Sequence, residues 1–328
     1  MNSLERTAIG TVAILLLSAC PEARSEPYTE EDHGRAGFQL FLRPKHATPH
    51  DQFTHAESLL EADRLKQADR AYRALTKSWP SSLEAVTSQL RHVEILRRKG
   101  KLEKAFEASQ MLVDKYTGRF DYQMVLQEQF EIALAIMEAR RGKVLFYKGF
   151  KTPERAIKCM KTVVKNGPRW KHAPEAQFLI GHIYEQNKKY DLAITAYLEC
   201  MLRYPQSAYT EESAFARARC LVALSNRNPY DQEVAQEAWH ALTGFSSTYP
   251  ASSDQTKTAK ELSHTIHSRL AKSAYDIAVF YDQKARKSQA ALIAYRLFVT
   301  RYPTSPWTEK AQKRIKILGN VVETQDEQ

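Results

Sequence analysis

Six alanines, each standing eleven residues ahead of a helix-ending pair, constrain this 328-residue chain more than any other feature. The pairs are Trp79-Pro80, Tyr116-Thr117, Gly167-Pro168, Tyr204-Pro205, Tyr249-Pro250 and Tyr302-Pro303; the alanines are Ala68, Ala105, Ala156, Ala193, Ala238 and Ala291. Three residues after each alanine comes a second small residue: Ala71, Ala108, Cys159, Ala196, Ala241 and Ala294. Two helices approach closely only where small side chains face each other, and a proline lacks the N–H that would carry a helix onward. Small residue, spacing and stop therefore mark the second helix of a repeated helical hairpin.

The clearest copy, Pro174 to Pro205, follows the tetratricopeptide pattern: Ile180, Gly181 and Tyr184 on the first helix, then Ala193, Tyr197, Cys200 and Pro205 on the second. The expectation is an all-α fold, a tetratricopeptide-like solenoid of five to six hairpins with a C-terminal capping helix over Pro306–Leu318. With 11 Gly and 13 Pro in the whole chain, a β-rich or largely disordered protein is disfavoured. Tyr72, Phe106, Tyr197 and Tyr295, one or four residues past their alanines, and the stop proline Pro303 fall among the repeat-packing positions. The stops recur at 37, 51, 37, 45 and 53 residues, above the ~34 of an ideal repeat. Either the helices are longer or their loops carry insertions, which are expected at Gly142–Pro153 and Ser225–Asp231.

The first twenty residues combine Arg6, an apolar run from Ala8 to Leu17 and small residues before Cys20, which is an export signal too short to span a bilayer comfortably. Leu17-Ser18-Ala19-Cys20 resembles the lipobox of bacterial lipoproteins, in which the cysteine is acylated and the signal removed before it. The expected organisation is a signal peptide at 1–19, a lipidated tether at 20–50, the solenoid at 51–318 and a polar tail at 319–328. Pro21 stands where such families carry an inner-membrane retention Asp, which points to the outer membrane. Cys159, Cys200 and Cys220 are odd in number and lack CxxC spacing, so a disulfide framework is not expected, although a single bridge stays open.

Lipobox, tether, hairpins and Tyr-Pro stops together resemble the BamD family, the lipoproteins of the outer-membrane β-barrel assembly machinery. The likeness is most specific over Ala173–Tyr209 and Ala238–Leu318, where Arg301-Tyr302-Pro303-Thr304-Ser305-Pro306-Trp307 follows the family's last repeat. It departs at Tyr116-Thr117, which lacks the proline, and at Gly167-Pro168, which lacks the aromatic residue. The resemblance implies a scaffold on the periplasmic face of the outer membrane with no cofactor. Its partners would be a BamA-like barrel protein, other assembly-machinery subunits and unfolded outer-membrane proteins. The alternative is a tetratricopeptide lipoprotein serving cell-envelope division or peptidoglycan machinery; the coiled coil that would favour it is missing from the sequence.

The net charge of +10 is concentrated. Eleven basic residues and the single acid Glu154 lie between Arg140 and His172, so this segment carries the whole excess. On the expected helix Pro153–Asn166, Arg155, Lys158, Lys161 and Lys165 share about a third of the circumference, opposite Ala156, Cys159 and Val163. The stripe reads either as a solvated face or as an electrostatic dock for an acidic protein surface or anionic headgroups. Nucleic acid is disfavoured by the export signal. No GxxxxGK[ST], GxSxG or HExxH occurs, and His264 and His267 lack an evident third metal ligand, so the expectation is no enzyme and no metal.

Overall fold

The computed structural model describes residues 42–141, 150–250 and 253–326. Cys20, its signal peptide and most of the tether lie outside the described residues, as do Lys143 and Lys148. One compact unit begins at Pro44. Within it the helices pair as α1 (Pro49–Glu61) with α2 (Leu65–Ser78), α3 (Leu83–Arg98) with α4 (Leu102–Lys115), and α5 (Tyr122–Glu138) with α6 (Arg155–Asn166). They continue as α7 (Ala173–Gln186) with α8 (Tyr190–Arg203), α9 (Tyr209–Arg227) with α10 (Gln232–Thr248), and α11 (Asp254–Val279) with α12 (Ser288–Arg301), closed by α13 (Thr308–Asp326). Each helix packs chiefly on the next in sequence, which is the nearest-neighbour organisation of a solenoid.

The recurrent sequence signals act as helix geometry requires. All six marker alanines are 0% exposed, and their partners are buried except Ala241 and Ala294, which are half-buried. The first residue of every stop pair caps its helix by donating its N–H to the carbonyl four residues back, at 2.8–3.0 Å. Pro205 and Pro303 follow these caps and are exposed; they end helices and do not pack repeats, which corrects the expectation for both. Thr48, Ser82, Asp121, Asp231 and Ser253 supply side-chain N-caps. Hairpin turns use a left-handed residue five places before the marker alanine: Asp63, Gly100, Lys188 and Arg286. After the first three, the next N–H bonds to a carbonyl five residues back, as from Arg64 to Leu59 at 2.9 Å, the pattern of a Schellman stop; after Arg286, Lys287 reaches one residue further, to Tyr281.

The structure departs from the expectation in several places. The insertion in the third hairpin opens with a two-residue antiparallel ladder, β1 (Arg140–Arg141) on β2 (Phe150–Lys151), while residues 142–149 are outside the described residues. Ser225 to Arg227 belong to α9 and not to a loop, because Ser225 is fully buried and its Oγ accepts from Arg269. The last long spacing comes from the 26-residue α11 and the π-helical turn Phe280–Lys284 that follows it. The capping helix does not end at Leu318 but runs to Asp326, since no proline follows it; Gly319 is accommodated within it. At the other end the tether expected to reach residue 50 is already fixed by Lys45 and His46, whose N–H groups both donate to Gln52 Oε1.

The core is continuous from Leu75 to Ala196 and again from Phe215 to Leu318. Ala193, Tyr197, Ala216 and Cys220 pack together at the junction. No described helix is long and apolar enough to cross a membrane.

Candidate functional site

Two polar seams hold the hairpins in register; their glutamines and carboxylates were not among the expected site residues, and their tyrosines were expected only to pack. Buried Gln52, Gln89 and Gln177 donate to the carbonyls of Ala71, Ala108 and Ala196 at 3.1, 2.8 and 3.1 Å. Each acceptor is the small residue three past a marker alanine, so a first-helix glutamine recognises backbone where the second helix has no side chain in the way. In the second seam, Tyr72 donates to Glu57 at 2.7 Å, Tyr197 to Glu185 at 2.7 Å and Tyr295 to Asp282 at 3.2 Å. Burial first, and the neighbouring carboxylate second, push all three phenols well above their ordinary value, so they stay protonated donors.

Each of those carboxylates also binds an arginine from beyond its own hairpin. Arg91 of α3 reaches Glu57 at 3.1 Å, Arg219 of α9 reaches Glu185 at 2.8 Å, and Arg314 of α13 grips both oxygens of Asp282 at 2.8 and 2.6 Å. A tyrosine inside one hairpin and an arginine outside it thus share one anion, which fixes the angle between consecutive units. The signal was present in the chain: glutamine recurs sixteen residues before Ala68, Ala105 and Ala193, and arginine thirty-four after Glu57 and Glu185.

The charged stripe is rearranged. Ala156, Cys159 and Val163 face the core of α6, as amphipathicity requires. Arg155 leaves the stripe: its side chain is 20% exposed and ion-paired with Glu103 of α4. Lys158, Lys161 and Lys165 are exposed, as are Arg169 and Lys171 in the turn that follows. Lys161 Nζ sits 5.9 Å over the ring of Tyr184. Among the described residues none of these five cations forms an ion pair, because the carboxylates of the flanking helices are engaged elsewhere. On α5, Glu128 and Glu131 hold Arg97 and Glu138 holds Lys151. On α7, Glu175 meets His172 while Glu185 meets Tyr197 and Arg219.

Cys159, Cys200 and Cys220 are free and buried. Burial pushes their thiols up, to about 11 for Cys159 and about 12 for Cys220, far from the thiolate chemistry of reactive cysteines. His267 lies between Trp239, tilted against it, and Tyr302, which it meets edge-on, with ring centroids at 5.3 and 5.2 Å. With exposed His264 and Lys260 it borders a shallow cleft of about 480 Å³ between α10 and α11. Among the described residues no group of three potential metal ligands forms.

The family model described as outer membrane lipoprotein, YfiO, matches residues 151–315, half of the chain. The chain belongs to that family. Its outer membrane lipoprotein region runs from the ladder strand at Lys151 to Ile315 in α13, and so contains the α6 lysines, Gly181, Tyr197 and the Asp282 network. A tetratricopeptide-repeat model matches residues 53–119, the first two hairpins. Similar solved structures include a tetratricopeptide repeat protein from Parabacteroides merdae, 13% identical over 82% of this chain and 98% of that one, with a TM-score of 0.30. Another is the C-terminal part of a TPR repeat-containing protein from Cytophaga hutchinsonii, 17% identical over 81% of this chain and 88% of that one, with a TM-score of 0.32. No curated protein matches this outer membrane lipoprotein.

Proposed function

We propose that this outer membrane lipoprotein is a non-catalytic scaffold of the β-barrel assembly machinery. It is held by acyl chains on Cys20 at the periplasmic face of the outer membrane. There it binds a BamA-like barrel protein, other assembly subunits and unfolded outer-membrane proteins. The observation that carries this reading is the family match over half of the chain, laid on an array of hairpins whose arginine couplings keep a long surface rigid. Rigidity matters because a preorganised surface loses less entropy when it binds a partner. The last hairpin also turns apolar side chains outward, with Ile293 62% and Leu297 64% exposed one helical turn apart, which supports protein docking.

The anchor reading is supported by the Leu17-Ser18-Ala19-Cys20 motif, since two acyl chains already suffice for stable membrane attachment. Purification of the lipidated protein in mild detergent, with identification of co-purifying chains, tests the scaffold: a BamA-like barrel protein is the expected partner, and its absence from membranes that contain it would refute the reading. Cys20→Ala should move the chain out of the acylated membrane fraction.

A further inference from the structure

The row Lys158, Lys161 and Lys165 and the turn residues Arg169 and Lys171 form a place where the charge excess concentrated between Arg140 and His172 reaches solvent without a carboxylate partner among the described residues. From this juxtaposition we infer that the outer face of α6 docks on anionic lipid headgroups, so that the solenoid lies against the membrane with a fixed side down.

Three observations favour a bilayer over an acidic protein. First, the exposed row on the helix is all lysine. The arginine of the set, Arg155, is withdrawn into its pair with Glu103. Lysine presents a compact hydrated charge on a flexible stem, whereas arginine and aromatic residues dominate protein interfaces and lysine is depleted there. Second, no large hydrophobic side chain is exposed between Lys151 and Lys171. A protein dock concentrates its affinity in a few buried anchors, and α6 with its following turn offers none, the nearest exposed aromatic being Phe150 in the ladder before it; a plane of mobile phosphates needs none. Third, the flanking carboxylates of α5 and α7 are each bound to another group, so none of them competes for the lysines.

Proximity rests on the anchored reading proposed above: the 28 residues between Cys20 and Pro49 span at most about 100 Å even when fully extended. A tether of that length keeps the body at high local concentration near the bilayer, so a weak headgroup contact suffices. Each lysine near an anionic surface strengthens binding about fivefold. Exposed charges are screened beyond about 8 to 10 Å at physiological ionic strength, so the contact weakens as salt rises.

The test uses the processed chain, residues 20–328 with Cys20→Ser, which keeps the compact unit from Pro44 onward whole and removes any acyl contribution. Flotation is measured with vesicles of phosphatidylethanolamine containing phosphatidylglycerol, and with vesicles of phosphatidylcholine alone. The chain should float with the first and not the second, and progressively less as salt rises. Joint replacement Lys158→Gln, Lys161→Gln and Lys165→Gln should lower partitioning on the order of a hundredfold. The joint Lys→Arg variant should keep it, and a charge-matched control at Lys260, Lys284 and Lys287 should stay near wild type. Unfolding curves that superimpose on wild type confirm that each variant is folded.

Equal flotation of the glutamine variant and wild type, or equal binding to neutral vesicles, would overturn the inference. So would a glutamine variant that keeps vesicle binding but loses an acidic periplasmic protein from its co-purifying set, since the row would then be a protein dock. The vesicles contain no protein, so failure here is distinct from failure of the scaffold reading, which is scored by the barrel partner alone.

Discussion

Gly181 of α7 lies against the ring of Tyr197 of α8: a β carbon at 181 would stand 2.7 Å from both Cδ1 and Cε1. The ring cannot yield easily, because Tyr197 is fully buried and its hydroxyl is bound to Glu185. In an open helix Gly→Ala gains about 1 kcal/mol of propensity; here the collision outweighs it. Gly181→Ala should lower stability by about 1 kcal/mol and Gly181→Leu by about 3 kcal/mol, read from chemical unfolding. An alanine variant as stable as wild type would show that the helices are not in closest approach at this point.

Removing the shared anion should uncouple two units at once. Asp282 is only 5% exposed at its side chain and serves both Arg314 and Tyr295. Asp282→Ala should cost about 2 kcal/mol, less than a fully buried pair because Arg314 reaches solvent. In a double-mutant cycle, Tyr295→Phe and Arg314→Ala should couple by about 0.5 kcal/mol or more, because both depend on one carboxylate. Strict additivity would mean that α13 caps the array through apolar packing alone.

Asp69 of α2 and His92 of α3 give the first two hairpins a pH dependence. Their side chains meet at 2.5 Å. Burial alone would raise the Asp69 carboxyl, but the hydrogen bond and charge of His92 outweigh it and hold the group below its ordinary value of 3.8. A carboxyl depressed in the folded state binds fewer protons there than in the unfolded chain. Its contribution is therefore complete above about pH 4 and fades as pH falls through the depressed value. Unfolding measured from about pH 5 down to pH 2 should lose stability more gently in Asp69→Asn than in wild type, and parallel curves would remove Asp69 from the acid response.

Much of this architecture is legible in the chain, because a helix seam needs a small residue and a helix end needs a stop, and both are properties of single positions. Ala156 and the Gly167 cap could be located even where Tyr-Pro is missing, since spacing survived the loss of the aromatic residue. What escaped were properties of pairs. Nothing local to Arg155 says that Glu103, fifty-two residues earlier, takes it from the lysine row, and the arginine partner of Asp282 is defined only once α13 stacks on the last hairpin. Helix ends without proline were also misjudged, as at Leu318, because a polar segment following a helix can continue it when no breaker intervenes.

The hairpin turns carry the last test. Asp63, Gly100, Lys188 and Arg286 have φ of 55°, 65°, 57° and 51°, and each stands five residues before a marker alanine, yet only one is glycine. The left-handed conformation costs an ordinary residue roughly 1–2 kcal/mol. Nothing lies within 4 Å of a β carbon placed on Gly100, so Gly100→Ala should feel the backbone alone and lose about 1 kcal/mol. Lys188→Gly runs the exchange in reverse: relief of the left-handed strain exceeds the extra entropy glycine gives the unfolded chain, for a net gain of about 0.5 kcal/mol. Unfolding free energies of the two variants should therefore move in opposite directions. If Lys188→Gly were clearly destabilised instead, Lys188 would contribute side-chain interactions that outweigh its backbone strain, and the turn would be held by more than its Schellman bonds.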